Sequence, residues 1–481
     1  MLFNSFSFLV FLPIVFSLYW VLARRSIKLQ NLLLLIASYY FYSCWSKKFL
    51  LLLIFSTALD YFSGLKIESA KSQHIRRIYL WISVGINLGL LCVLKYFNFF
   101  ADSFSDFAST LGFNVDAVTL NVILPVGISF YTFHGLSYIL DIYNRKIKAE
   151  RNVVEYSLFV SYFPLLVAGP IERATHLLPQ LKVFRTVDYQ KTVDGLRQIL
   201  WGLFKKMVIA DNCAPIVNDI FENYHSESGI TLAIGAILFA FQIYGDFSGY
   251  SDIALGTSRL FGIELLRNFN YPYFSRNIAE FWRRWHISLS SWFRDYVYVP
   301  LGGSRKGLNK TILNVLIIFL LSGFWHGANW TFIFWGLLNA VFILPSVISN
   351  TNRKYTDPKS NGSVSPSLKE IHQILATFLV ACFAWIFFRS PTIKDAFSYS
   401  QRLFDVSNYT IPFINTRNFI LLFFILFMIV FEWIQRDKLH ALSFKPLNWT
   451  RRGVAWSGYL LIAFCILFFT TSSKEFIYFQ F

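Results

Sequence analysis

A single histidine, His326, interrupts a long apolar stretch and is the side chain best suited by type to transfer a proton. It lies in the sequence FLLSGFWHGANWTFIFWG, residues 319 to 336, and is the only strongly basic group there. A lone buried histidine is usually structural, but an imidazole in lipid must be paired or face a cavity. We expect it to accept a proton from a substrate, with Gly323 and Gly327 leaving space around it.

A second histidine, His286, lies in a sequence dense in arginine and tryptophan. The stretch NIAEFWRRWHISLSSWFRDYVYVPLGG, residues 277 to 303, places Arg283, Arg284 and Trp285 directly before it. This charge density excludes a lipid-exposed span and predicts an interfacial or partly re-entrant helix. Two interpretations remain open. The arginines bind the phosphates of a nucleotide-bearing donor, or they extend from a cytoplasmic amphipathic helix into water.

Two carboxylates, Asp246 and Asp252, lie in an otherwise apolar span with the sequence QIYGDFSGYSDIALG, residues 242 to 256. Carboxylates at that depth need partners. Either they orient a substrate hydroxyl or a catalytic histidine, or they form hydrogen bonds that hold helices together. Gly245 and Gly249 allow close backbone approach, so we predict that this helix lies in the interior of a bundle.

The elements that must position these residues are membrane helices. Apolar residues make up 55% of the 481-residue chain, charged residues only 15%, and the mean hydropathy is +0.48. Several apolar runs approach the roughly 20 residues that cross a bilayer. We predict an all-α polytopic membrane protein, a bundle of roughly ten to twelve transmembrane helices with re-entrant and interfacial helices around a central tunnel.

The net charge of +17 fits a membrane protein better than a nucleic-acid-binding protein, because Lys and Arg cluster in short loops between apolar spans. The first apolar run is followed, not preceded, by positive charges, so we expect a retained first helix and not a signal peptide. Basic loops at residues 66–77 and 145–151 predict the cytoplasmic side, which leaves both chain termini extracytoplasmic. The apolar run 311–349 must then enter the membrane and return.

We expect one domain over residues 1–481. Residues 1–350 form a body with the motifs above, residues 351–369 a cytoplasmic linker, and residues 370–481 the closing helices and an extracytoplasmic tail. No internal repeat is visible, which argues against a transporter built from inverted repeats. The five cysteines lack CxxC spacing, and the two histidines lack ligand spacing, so no metal site is predicted.

Three motifs together resemble the membrane-bound O-acyltransferases, most closely the bacterial branch of alginate O-acetyltransferase membrane proteins. They are YGDFSGYSDIALG, FWRRWHISLSSWFRDYVYVPLGG and SGFWHGANW. The opening MLFNSFSFLVFLPIVFSLYW, the segments LPVGISFYTFHGLSYILDIY and FPLLVAGPIERATHLLPQL, and the terminal FIYFQF also fit, so the resemblance covers nearly the whole chain. The chain departs from the family at His134, where its members usually have Gln.

The resemblance implies that His326 is the catalytic histidine and that His286 is the second characteristic histidine. His286 would contact the acyl carbonyl, orient His326 or cap its own helix. Tryptophans near both are expected to exclude water: Trp282, Trp285, Trp325 and Trp330. The remaining candidate substrate-binding residues are Asp246, Asp252, Arg283, Arg284 and Asn329. We expect no stable acyl-enzyme on Ser322 or on His326.

The resemblance further implies acetyl transfer from cytoplasmic acetyl-CoA, across a bacterial inner membrane, to a hydroxyl of an exported polysaccharide. An extracytoplasmic acetyltransferase partner would receive the group first in one version of this pathway. No permanently bound cofactor is expected. Two alternatives remain: D-alanyl transfer towards teichoic acid by the same fold, and a transporter or flippase that uses the buried charges as a gate.

Overall fold

The structure of the protein is a computed structural model. It describes residues 1–113, 119–120, 124–167, 169–354, 365–410, 416–444, 449–470 and 477. These residues form helices and loops without a β-strand, as predicted. The chain divides into two compact units, Met1–Asp188 with Phe261–Leu265, and Tyr189–Leu260 with Leu266–Phe481. The predicted division after residue 350 stays a prediction; that position lies inside the second unit.

The first unit contains nine helices in its described residues. They are α1 Phe6–Val21, α2 Ile27–Ser43, α3 Lys47–Ser69, α4 Gln73–Leu91, α5 Phe97–Thr110, α6 Ile128–Tyr143, α7 Val153–Ser161, α8 Phe163–Leu166 and α9 Ala174–Leu181. Helices α3, α4 and α6 pack together. Between α3 and α4, the buried Asp60 accepts hydrogen bonds from Ser83 Oγ at 2.6 Å and Asn87 Nδ2 at 2.8 Å. These bonds join two apolar helices at a buried position.

The second unit contains eleven helices in its described residues. They are α10 Tyr189–Leu203, α11 Asp211–Glu222, α12 Gly229–Leu260, α13 Ile278–Arg284, α14 Ile287–Phe293, α15 Leu308–His326, α16 Trp330–Ile348, α17 Leu368–Arg389, α18 Ile393–Leu403, α19 Thr416–Ile434 and α20 Trp449–Phe469. Three π-helical turns lengthen the chain locally, at Cys92–Tyr96 in the first unit and at Phe204–Ala210 and Arg294–Tyr298 in the second. Such turns recur at functional sites.

Six helices in the described part of the chain are long and apolar enough to cross a membrane. They are Lys47–Ser69, Gln73–Thr110, Gly229–Leu260, Leu308–His326, Trp330–Ile348 and Leu368–Arg389. Shorter apolar helices lie at Phe6–Val21, Val153–Leu166, Asn418–Ile434 and Gly453–Phe469. The predicted polytopic membrane protein is confirmed. Its orientation stays a prediction, and of the predicted tail only Ile477 lies within the described residues.

Helix α12 is the most deeply buried of the six, as its glycines predict. It packs against α10 at glycines on both helices, so that backbone meets backbone. A Cβ added at Gly249 would lie 2.8 Å from the carbonyl oxygen of Gly202, and one added at Gly202 would lie 2.6 Å from that of Gly249. Small residues on facing helices permit this approach.

Gly202→Ala is expected to lower the stability of the protein by about 1–3 kcal/mol, because the new methyl group forces two backbones apart. Thermal unfolding in detergent measures the effect. Gly89→Ala in α4 is the control, because a Cβ there meets no atom within 4 Å. Equal melting temperatures for the two variants would contradict the close packing of α10 on α12.

Helices α15 and α16 form the predicted entry and return over residues 311–349. Each has 19 residues, about 28 Å of helix, enough to cross the hydrocarbon core. The helix breaks after His326, where Gly327 is extended and Asn329 caps α16 through the backbone N–H of Thr331. The structure therefore forms this run as two membrane-length helices, and His326 lies at the turn between them.

Candidate active site

His326 is the last residue of α15 and is only 3% exposed. Aromatic rings surround its imidazole: the ring centroids of Trp325, Trp335 and Phe388 lie 4.9, 5.1 and 5.5 Å away. Trp335 and Phe388 come from α16 and α17, so three helices converge on this histidine. The surroundings exclude bulk water, which strengthens any electrostatic interaction with a reacting group.

The glycines beside His326 do not leave open space, which corrects the expectation from the sequence. A Cβ at Gly323 would meet the backbone carbonyl of Phe332, and a Cβ at Gly327 would meet the Phe332 ring. Phe332 therefore fills the volume that the two glycines vacate. Their role is to let α15 and α16 pack closely at the turn, which holds His326 in place.

His286 lies at a break between α13 and α14, where the sequence predicted one interfacial or partly re-entrant helix. Its backbone is left-handed, with φ 43° and ψ 53°, which is unfavourable for a residue with a Cβ. Strain of this kind persists where the surroundings over-determine it and is frequent at active sites. His286 lies outside the six membrane-length helices, and burial lowers the pKa of its imidazole to about 3, so it is neutral at physiological pH.

The two histidines lie together although 39 residues separate them in the chain. Their ring centroids are 6.4 Å apart, and His286 is 1% exposed. Trp325 lies against both, at 5.9 Å from the His286 ring and 4.9 Å from the His326 ring. The structure therefore brings together two buried imidazoles and one predicted tryptophan, an arrangement that can hold a hydroxyl and accept its proton.

Asn268, a residue that the motif analysis missed, contacts His286 directly. Its side-chain oxygen lies 3.1 Å from His286 Nδ1, and the residue is 1% exposed. Asn268 lies in the loop between α12 and α13, in the sequence RNFNYPY. A polar residue beside aromatics in a loop is common, so the sequence carried no signal that set it apart.

Asp246 and Asp252 of α12 form their shortest ion pairs with two consecutive lysines. Both lysines lie in the π-helical turn Phe204–Ala210. Lys206 Nζ lies 2.7 Å from Asp246 Oδ1, and Lys205 Nζ lies 2.7 Å from Asp252 Oδ2. The backbone N–H of Ile477 donates to Asp246 Oδ2 at 2.6 Å. These contacts are of the kind that joins helices, and a substrate role for either aspartate stays a prediction.

The two consecutive arginines have different surroundings. Arg284 donates to the buried Glu280 at 2.7 Å, and Arg276 also pairs with that carboxylate at 3.0 Å. Arg283 is exposed and donates to the backbone carbonyl of Asn352 at 2.7 Å. Arg284 thus helps to neutralise a buried carboxylate, whereas the Arg283 guanidinium is accessible to a ligand.

Arg283 lines a cavity of about 780 Å³. Exposed arginines, Arg283 and Arg353, form part of its wall, and the buried Trp282, Phe319 and Ser322 form another part. The Trp282 ring lies 5.6 Å from that of Trp335, which itself contacts His326. The buried wall of the cavity is therefore one aromatic layer from the histidine pair, and ligand sites of several hundred Å³ are typical of small-molecule binding.

The other predicted site residues lie in the same unit. Trp285 is fully buried between Phe269 at 5.1 Å and Trp385 at 5.0 Å. Asn329 Nδ2 donates to the carbonyl of Pro391 at 2.9 Å, and its oxygen caps α16. Their substrate roles stay predictions.

Trp330 does not shield the site, because it is the exposed first residue of α16. Trp335, one turn further along, occupies the position beside His326. His134 lies in the first unit, buried against Phe159 at 5.8 Å between ring centroids.

The comparisons with known proteins identify the class. A model of the MBOAT, membrane-bound O-acyltransferase, family matches residues 34–383. The chain therefore belongs to the membrane-bound O-acyltransferase family, and it is a multi-pass membrane O-acyltransferase.

Its relatives include bacterial O-acetyltransferases and a D-alanyltransferase. The chain is 38% identical over 421 residues to the probable alginate O-acetylase AlgI of Azotobacter vinelandii, covering 86% of this chain and 80% of that protein. It is 32% identical to the peptidoglycan O-acetyltransferase of Helicobacter pylori over 533 aligned residues, covering 100% of this chain and 98% of the relative. A teichoic acid D-alanyltransferase of Bacillus subtilis is 30% identical over 280 residues, covering 56% of this chain and 69% of the relative.

Proposed function

We propose that the protein transfers an acetyl group from cytoplasmic acetyl-CoA to a hydroxyl group of an exported cell-envelope polysaccharide. The observation that carries this proposal is the pairing of two buried imidazoles, His286 and His326, within 6.4 Å of each other in a membrane O-acyltransferase. The aromatic enclosure supports it, because it restricts the access of water to a bound thioester.

The chemistry requires one proton acceptor near the attacking oxygen. The hydroxyl oxygen forms a bond to the thioester carbonyl carbon while His326 removes the hydroxyl proton. The carbon–sulfur bond then breaks, and the thiolate takes the proton from His326, which yields an ester and a thiol. General-base help of this kind contributes roughly 10²–10⁴-fold to the rate. Transfer is direct, and the reaction needs no resident cofactor.

The cavity that Arg283 lines is the proposed donor site. Its arginines match the phosphates of a coenzyme A thioester, because guanidinium groups bind phosphate through charge-assisted hydrogen bonds. The apolar wall at Trp282 and Phe319 suits the acyl end of the donor. Arg294 and Arg353 extend the positive charge along the same cavity.

Arg283→Ala is expected to raise the KM for acetyl-CoA by roughly 10–100-fold, since hydrogen bonds to charged groups contribute about 1.5–3 kcal/mol. The expected change in kcat is small, because the phosphates are remote from the reacting carbonyl. Initial rates of thiol release at varied donor concentrations measure both constants.

The matched controls for Arg283→Ala separate phosphate binding from a general loss of structure. Arg305→Ala removes an exposed arginine that does not line the cavity, and its KM should equal that of the wild type. S-acetyl-N-acetylcysteamine carries the thioester without phosphates, so its KM should not change in Arg283→Ala. An equal rise in KM for both donors would contradict phosphate binding at this arginine.

The acceptor is inferred from the printed functions of the relatives. Alginate and peptidoglycan are both glycans with free hydroxyl groups, and both are named for proteins that match most or all of this chain. The proposal therefore locates the protein in the cytoplasmic membrane of a bacterium, with both chain termini on the extracytoplasmic side. An extracytoplasmic acetyltransferase partner receives the group where the polymer itself does not reach the membrane.

D-alanyl transfer is the second candidate, because the Bacillus subtilis relative matches more than half of this chain. Purified protein in liposomes, given acetyl-CoA or a D-alanyl thioester of a carrier protein, distinguishes the two. Our proposal predicts slow thiol release from acetyl-CoA even without acceptor, because water attacks the held thioester. Release from the D-alanyl donor alone would support the second candidate. Solute movement without thiol release from either donor would support a transporter and overturn both.

A further inference from the structure

We infer that Asn268 is a positioning residue that holds His286 in one tautomer, with the proton on Nδ1 and the lone pair on Nε2. This inference deepens the proposed function, because it assigns His286 the task of accepting a hydrogen bond during transfer. The geometry alone determines the tautomer, independently of which reaction the site performs.

The hydrogen bonds at Asn268 Oδ1 carry the argument. The backbone N–H of Ser288 points to this atom at 3.3 Å, and Ser288 Oγ lies 2.9 Å from it. A backbone N–H can only donate, so the side-chain atom that faces it is the amide oxygen and not the amide nitrogen. His286 Nδ1 lies 3.1 Å from the same oxygen. Because that oxygen only accepts, Nδ1 must carry the hydrogen.

Asn268 is itself held by two further hydrogen bonds, and its loop by a third. Its Nδ2 donates to Ser251 Oγ of α12 at 3.3 Å, and its backbone carbonyl accepts from the N–H of Ile287 at 2.9 Å. The N–H of Asn270 donates to the carbonyl of Arg284 at 2.9 Å. The loop after α12 thus pairs with the chain on both sides of His286 and maintains its left-handed backbone.

The tautomer determines which nitrogen is available for chemistry. Nδ1 and Nε2 are separated by Cε1 and point in widely different directions, so a hydrogen bond from Nδ1 to Asn268 directs Nε2 away from that residue. Two hydrogen bonds in series through one water oxygen span up to about 5.6 Å between the two nitrogens. The 6.4 Å between the His286 and His326 ring centroids accommodates such an oxygen. Nε2 of His286 can then accept one hydrogen of a bridging water whose oxygen accepts from an N–H of His326, which orients the His326 imidazole for removal of the substrate proton.

Asn268→Ala should still fold, because a polar cavity adjoins the residue. This cavity has a volume of about 20 Å³, room for one water molecule, and Lys205, Ser251 and Asp252 line it together with Asn268. Water entering the space of the lost amide can satisfy Ser251 and Ser288. It can also bond to either tautomer of His286, so the preference for one tautomer is lost.

The first test is ¹⁵N solid-state NMR of the histidine-labelled full chain in lipid bilayers. The His286 signals are identified by their absence in His286→Gln. We expect the Nδ1–H tautomer alone in the wild type and a mixture of tautomers in Asn268→Ala. An Nε2–H tautomer in the wild type, or an unchanged tautomer in Asn268→Ala, would overturn the inference. This readout does not depend on any enzymatic activity.

The second test is a double-mutant cycle on thiol release from acetyl-CoA. Loss of a residue that orients a functional histidine typically costs 10–100-fold, and we expect this loss for Asn268→Ala. In a His286→Ala background, Asn268→Ala should cost no more than about twofold further, because the two residues act as a unit. If the rate losses of the two single variants multiply in the double variant, the role of Asn268 is merely structural and the inference is overturned.

Asn314→Ala is the matched control for the cycle. Asn314 is fully buried and donates to the carbonyl of Gly303 at 2.8 Å in the same unit. Asn314→Ala should leave the His286 tautomer unchanged. Any loss of rate that it causes should multiply with the loss caused by His286→Ala in the double variant. If the wild type released no thiol at all, the proposed function would fail, whereas the NMR result would still decide the tautomer.

Discussion

His326→Gln is expected to lower kcat for acyl transfer by roughly 10²–10⁴-fold, the contribution of a positioned general base. Glutamine keeps a similar volume and can form hydrogen bonds, but it cannot take the hydroxyl proton. The rings of Trp325, Trp335 and Phe388 that enclose His326 should accommodate the amide without a large change in stability. The KM for the donor should change little, because the donor phosphates bind elsewhere. Thiol release from acetyl-CoA by the protein in liposomes, with a purified acceptor polysaccharide present, measures both constants.

His134→Gln is the matched control for this substitution. The residue is a buried histidine in the first unit, and glutamine is the residue that the family resemblance predicts at this position. Its kcat should equal that of the wild type. A wild-type rate in His326→Gln, with folding verified by thermal unfolding, would remove His326 from the mechanism. An equal loss in His134→Gln would show that the assay reports folding and not catalysis.

Lys206→Met is expected to destabilise the protein by about 3–5 kcal/mol, the usual cost of removing one partner of a buried ion pair. Lys206 Nζ lies 2.7 Å from both Asp211 Oδ1 and Asp246 Oδ1, and all three side chains are less than 5% exposed. Without the ammonium group, two carboxylates remain buried close together. Thermal unfolding in detergent at neutral pH measures the loss, and much of the protein is expected to aggregate on extraction.

Arg151→Met is the control for Lys206→Met, because Arg151 pairs with Glu68 at 3.6 Å while its side chain is 81% exposed. Exposed ion pairs contribute at most about 1 kcal/mol, so this variant should melt near the wild type. Similar melting temperatures for the two variants would contradict a buried ionic core around Asp246. The double variant Lys206→Met with Asp246→Asn should recover part of the stability, since it removes one of the two carboxylates.

The membrane helices and the burial of His326 could be predicted from the sequence, because hydrophobic length and a rare polar residue in an apolar run are local signals. His286 was marked by the family resemblance. His326 stands out since its neighbours are apolar, and the run 311–349 had to return because basic segments flank it. Both expectations agree with α15 and α16. The burial of α12 likewise followed from Gly245 and Gly249, whose small size is visible in the sequence.

The partners of the charged residues could not be predicted, because they come from segments distant in the chain. Asp246 and Asp252 are paired with Lys206 and Lys205, which lie about 40 positions earlier and follow a glycine-containing helix. In the sequence, those lysines follow the apolar run ILWGLF, and nothing near them indicates contact with α12. A π-helical turn places both of them within the bundle, and such turns have no reliable sequence pattern.

The details of the site that depend on backbone geometry could not be predicted from the sequence. A left-handed histidine at position 286 breaks a sequence that looks like one amphipathic helix, and Asn268 then meets the imidazole from another loop. Likewise, Arg283 and Arg284 look equivalent in the sequence. In the structure, Arg284 forms an ion pair with the buried Glu280, while Arg283 is exposed. Tertiary contacts of this kind override local pattern, which is why these contacts had to come from the structure.

The most direct test of an acyl transfer to envelope polysaccharide uses acetyl-CoA labelled with ¹⁴C in the acetyl group and ³H in the coenzyme. Bacterial membranes that contain the wild type or His326→Ala, at equal folded amounts, are incubated with this donor, and their polysaccharide is purified. Our account predicts ¹⁴C without ³H in the wild-type polysaccharide, released by mild base as acetate, and almost none with His326→Ala. Equal ¹⁴C in both samples, or none in either while known acceptors are present, would contradict it.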